Sequence, residues 1–156
     1  MDNTTLVEVL NNIVQINNDR VAGYKTAAEE TKDVELQNLF AQLLQTSKQN
    51  ITALESGIQL HGGTPTDSTR LSGKVFRVWM DVKAALTGAD HIKILESCIY
   101  GELQATDTYE KVLDEYKDTM PDKYITILKM QHQALKADYN KVNERLLKFQ
   151  ELEKKD

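Results

Sequence analysis

Apolar side chains recur at steps of three and four over four long stretches, and that spacing constrains this chain more than any other feature. In the first, Leu6, Leu10, Ile13, Asn17, Val21, Tyr24 and Ala28 fall on one stripe. In the second, the stripe is Leu36, Phe40, Leu43, Ser47, Ile51, Leu54 and Ile58. A period near 3.6 residues is that of an amphipathic helix with one face turned to a core. Only 7 Gly and 2 Pro punctuate the 156 residues, so helices of about 28 residues, roughly 42 Å long, can run unbroken. Thr5-x-x-Glu8 has the form of a capping box and places the first helix start near Thr4 or Thr5. Asp33 is suited to cap the second, and "HGG" at His61 to Gly63 stops it.

The third stripe takes Leu95, Cys98 or Ile99, Glu102, Ala105, Tyr109, Val112 or Leu113, and Tyr116. The fourth takes Tyr124, Leu128, Gln131, Leu135, Asp138 or Tyr139, Val142, Leu146 and Phe149, with Pro121 suited to its first turn. The expected helices are about 4–31, 33–60, 89–117 and 121–152, with the tail "ELEKKD" fraying. Between the second and third, residues 61–88 include the turn-rich "TPTDSTRLSG" and a short helix at about 73–86. The expectation is a single all-α domain over 1–156, a four-helix bundle of two antiparallel hairpins. A connection this long can return the length of the bundle, which is the ferritin-like arrangement. An up-down bundle with the short helix packed across one end is the alternative.

Each stripe is interrupted by polar residues near its middle. These are Asn17 beside Asp19 and Arg20, then Ser47 and Asn50, Glu102, and finally Gln131 and Asp138. Interruptions at one height suggest a polar belt across the bundle. Di-iron bundles place their ligands there, one Glu from each of two helices and a Glu-x-x-His pair from each of the others. This chain has Ser47-x-x-Asn50 and Leu135-x-x-Asp138 at the paired spacing, and Glu102 alone stands as a ligand would. The preferred reading is a hydrogen-bonded layer in which Arg20 is the charge partner of Glu102, with no metal and no cofactor. One divalent ion on Glu102, Asp138 and waters is the alternative.

The stretches "HGGTP", "VWMDVKAALTGAD" and "YGELQATDTYEKVL" resemble the bacterial ferritin-like four-helix-bundle proteins grouped as domain of unknown function 2383. The resemblance runs from about Leu6 to Leu146 and is most specific at Trp79 to Gly88. It implies a ferritin-like fold without an assigned activity. Similar members carry acidic residues on the first three helices and a His late on the fourth. The matching positions here are Val21, Thr46, Ile99 and Tyr139, with Glu102 retained.

A net charge of −5 with mixed signs lacks the clustered basic residues of a nucleic-acid footprint. No apolar run approaches the roughly 20 residues of a membrane span, and the N-terminus lacks the pattern of a signal peptide. A cytoplasmic protein is the expectation. The single cysteine, Cys98, excludes an internal disulfide and lies on a core stripe. His61, His91 and His132 are far apart, and no phosphate-binding glycine loop occurs. Phe76, Trp79 and Met80 on the short helix are candidates for a homodimer interface, since apolar patches mark association. The expected role is a structural or interaction module without enzymatic activity. A metal-binding or oxidoreductase protein centred on Glu102 is the alternative.

Overall fold

The computed structural model describes residues 1–69 and 91–155. The described chain forms helices α1 (Asn3–Glu30), α2 (Val34–Leu60), α3 (His91–Tyr116) and α4 (Asp122–Lys155), with no strand among the described residues. None of these helices is long and apolar enough to cross a membrane. The expected short helix at 73–86 lies outside the described residues.

Local chemistry sets the helix ends. Asp2, rather than Thr4 or Thr5, caps α1, its side chain accepting from Thr5 N at 2.8 Å. The earlier carboxylate reaches the first free amides and so starts the helix sooner than the capping box suggests. Asp33 caps α2, with Oδ1 accepting from Leu36 N at 3.0 Å. Thr31 ends α1, and its carbonyl accepts from Gln37 Nε2 at 2.9 Å, which braces the corner. Gly62 has φ of +79°, the left-handed conformation that closes a helix, and Gly63 N returns to Ile58 O at 2.9 Å. Pro121 precedes α4, its carbonyl accepting from Tyr124 N at 2.9 Å. Helix α4 continues through "ELEKK" to Lys155, built from strong helix formers whose lysines suit a helix C-terminus.

Helix α1 packs on α2 and α3, and α4 packs on the same two, so the helices form a ring of four. The apolar core divides into two clusters. One gathers Leu6, Leu10, Ile58, Val112, Tyr124 and Leu128. The other gathers Tyr24, Ala27, Leu36, Phe40, Leu95, Val142 and Leu146. On α1 the inward positions after Asn17 are Arg20, Tyr24 and Ala27, while Val21 and Ala28 are half-buried. The stripe thus turns one residue away from the one the sequence suggested, and Arg20 faces the core. Beyond α2, residues 64–68 lie along α1. Asn11 Nδ2 donates to Thr64 O and Asn18 Nδ2 to Ser68 O, at 3.1 and 2.9 Å.

Candidate functional site

A layer of buried polar side chains lies between the two apolar clusters, with members on all four helices. Arg20, a turn beyond Asn17 on α1, is its hub. Its Nε and Nη2 both donate to Glu102 Oε1, at 3.1 and 2.7 Å. Nη2 also donates to Asp138 Oδ2 at 3.0 Å, and Nη1 donates to Ser47 Oγ. One guanidinium nitrogen therefore bridges a carboxylate from α3 and one from α4. Tyr24, one turn further along α1, donates its phenol proton to Glu102 Oε1. Its ring also lies beneath the guanidinium, whose carbon is 5.4 Å from the ring centroid.

Ser47 links this charged half to a neutral one. Its hydroxyl accepts from Arg20 and donates to Asn17 Oδ1 at 2.9 Å. Asn50 Nδ2 donates to the same oxygen at 3.2 Å. Asn17 Nδ2 donates to Tyr109 OH at 2.9 Å, and Tyr109 donates to Gln131 Oε1 at 2.6 Å. Gln131 Nε2 then donates to the Asn50 carbonyl at 3.3 Å, which closes a ring across α1, α2, α3 and α4. The donor and acceptor assignments are mutually consistent around the ring, with the Ser47 and Tyr109 hydroxyls each accepting one bond and donating another. Glu102 Oε2 is the exception, a buried oxygen without a hydrogen-bond partner among the described residues.

Burial dominates the electrostatics. It disfavours ionisation of Glu102 and pushes its carboxyl above the usual range, although Arg20 and the Tyr24 hydroxyl pull it back. Burial also opposes the charge on Arg20. Glu102, Tyr24 and Asp138 outweigh it, and the guanidinium titrates above its ordinary value. The Tyr24 phenol is raised by burial and by Glu102, and the Tyr109 phenol by burial. The Cys98 thiol, buried one turn before Glu102, is raised by burial and by that carboxylate, which leaves it a poor nucleophile.

The structure brings Asn17, Arg20, Ser47, Asn50, Glu102, Gln131 and Asp138 into one network. Sequence reading placed Tyr24 and Tyr109 among the apolar stripe residues and so missed their hydroxyls. The signal available was their spacing, four residues after Arg20 and seven after Glu102. The histidines lie elsewhere. His61 bonds Asn3 and Tyr124 at one end of the bundle, the His91 ring lies tilted against Phe149, and His132 pairs with Glu110 at 3.0 Å. Phe76, Trp79 and Met80 lie outside the described residues.

The donor set does not suit a two-iron centre. Among the described residues no three His, Cys, Asp or Glu side chains gather as a ligand group. The two carboxylates at the centre are bridged by a guanidinium, and the other groups facing it are neutral hydroxyls and amides. A surface groove of about 530 Å³ runs between α3 and α4, lined by Leu103, Thr106, Asp107, Glu110, Lys136 and Tyr139. None of the seven belt residues lines it, so it gives no access to the layer.

The family described as Domain of unknown function (DUF2383) matches residues 5–115, which takes in nearly all of α1, α2 and α3. No curated protein matches the chain.

Proposed function

The chain belongs to the DUF2383 family, and we propose that it is a ferritin-like bundle with an arginine in the place of a metal centre. Its role is that of a structural or protein-interaction module without chemistry of its own. The observation that carries this reading is the single nitrogen, Arg20 Nη2, held between Glu102 Oε1 and Asp138 Oδ2 at 2.7 and 3.0 Å. A cation in a ferritin-like centre bridges carboxylates in this way. Here the cation is covalently part of the chain. The ferritin-like connection is supported by the core clusters, in which Ile58 shares an end with Leu6 and Val112, and Leu36 with Leu95. That pairing runs α2 and α3 in the same direction, as in a ferritin-like bundle.

A second reading, one divalent ion on Glu102 and Asp138, draws on Glu102 Oε2, which is buried without a hydrogen-bond partner among the described residues. It is the weaker of the two, because a cation on both carboxylates would displace Arg20 into a buried site without its partners. Elemental analysis of protein purified without chelator separates them. The expected result is iron, manganese and zinc far below one per chain. Near-stoichiometric metal, retained in wild type and lost in Glu102→Gln, would overturn the proposal.

A further inference from the structure

We infer that the bundle centre is a receptor for a planar guanidinium group, which Arg20 supplies from within the chain. This rests on the arginine-centred reading of the layer and specifies which cation the site accepts. The acceptors come from three different helices: Ser47 Oγ from α2, Glu102 Oε1 from α3 and Asp138 Oδ2 from α4. They are spread around the edge of the guanidinium, which uses all three of its nitrogens, while the Tyr24 ring covers a face. None of these residues is more than 4% exposed. Flat, delocalised and weakly hydrated, a guanidinium matches such a rim of acceptors above an aromatic face.

Two other cations fit less well. An ammonium is a compact, strongly hydrated point charge that cannot span acceptors placed around a plane. A divalent metal takes several anionic or carbonyl oxygens in a closed shell, and here two carboxylates and a hydroxyl face the centre. The site therefore selects by shape as well as by charge. Its specificity lies in Ser47, Tyr24, Glu102 and Asp138 together, and it persists when the arginine side chain is cut away.

The test is rescue of Arg20→Ala with the excised fragment. The variant is expected to melt about 10 °C below wild type, because two carboxylates lose their buried counter-ion. Millimolar ethylguanidinium should recover at least half of that loss. Guanidinium salts otherwise lower stability in proportion to concentration, so a rise in Tm is opposite in sign to the generic effect. Ethylammonium and manganese(II) at equal ionic strength should recover little. If Arg20→Ala does not fold alone, refolding with ethylguanidinium should give a helical, cooperatively melting protein. The double variant Arg20→Ala with Glu102→Gln keeps the vacated space but lacks the Glu102 carboxylate, and should show much less rescue. The inference is overturned if ethylguanidinium fails to stabilise Arg20→Ala, if it stabilises the double variant equally, or if manganese(II) or ethylammonium rescues as well. Failure of rescue in a chain whose wild type is metal-free removes the guanidinium specificity alone. Stoichiometric metal in the wild type removes the arginine-centred reading itself.

Discussion

Arg20 and Glu102 face one another, yet their removal should have unequal consequences. Arg20→Met leaves Glu102 and Asp138 buried without the guanidinium that joins them, at a cost of about 3–5 kcal/mol. Glu102→Gln leaves that guanidinium with Asp138 and Ser47 as acceptors, and should cost about 1–2 kcal/mol. Urea unfolding measures both, and equal penalties would show that the guanidinium is not the hub. Tyr109→Phe removes the hydroxyl between Asn17 and Gln131, leaving the buried Gln131 oxygen without that donor, and should cost about 1–3 kcal/mol. The phenols of Tyr24 and Tyr109 titrate above their ordinary value of 10.0 because they are buried. Below pH 10 both are protonated whether the chain is folded or unfolded, and their contribution is fully present. Above it the unfolded chain loses the protons first, so stability should fall as pH rises. Tyr24→Phe and Tyr109→Phe should each flatten that fall, and an unchanged slope would contradict the assignment. The polar interruptions were legible in the sequence because they break an otherwise apolar period. The two tyrosines were not, since a phenol on a core stripe reads as an aromatic until its hydroxyl is seen to have partners.

At the level of elements, the helix ends and close crossings decide how the layer is assembled. Asp33 caps α2 at the corner that sets α2 beside α1, so Asp33→Ala should cost about 0.5–2 kcal/mol in thermal or urea unfolding. A cost indistinguishable from zero would mean that Thr31 and Gln37 hold the corner without it. Gly57 is buried in α2, where a Cβ would stand 2.7 Å from Tyr124 Cε1. Gly→Ala inside a helix ordinarily gains about 1 kcal/mol. Here the overlap displaces the Tyr124 ring and strains its bond to His61, a cost of about 1–3 kcal/mol, so the net effect of Gly57→Ala should be a lower Tm. A higher Tm would mean that the ring moves without cost. The Asp33 cap was legible from one residue type in one place. The start of α1 was not, because Asp2 and the Thr5–Glu8 pair offer competing caps and the pattern alone does not rank them. The continuation of α4 to Lys155 was masked by charge, which marks a solvated surface as readily as a frayed end.

Across the whole molecule the network ties one helical hairpin to the other. Arg20, Asn17 and Ser47 belong to the α1–α2 hairpin, while Glu102, Asp138, Tyr109 and Gln131 belong to α3–α4. The apolar clusters can stabilise a bundle in more than one register, and buried polar pairs are a means of selecting one. In this chain the selecting group is a cation tethered to α1, and its carboxylate partners lie 82 and 118 residues away in sequence. That pairing depends on which helices become neighbours, a property of topology that periodicity alone constrains weakly. The most direct measurement is a crystal structure of protein purified without chelator, with anomalous data collected above the iron, manganese and zinc edges. The expected result is a flat guanidinium density between Glu102 and Asp138 with no anomalous peak within the bundle. An anomalous peak between those two carboxylates, with Arg20 turned away, would contradict the arginine-centred layer.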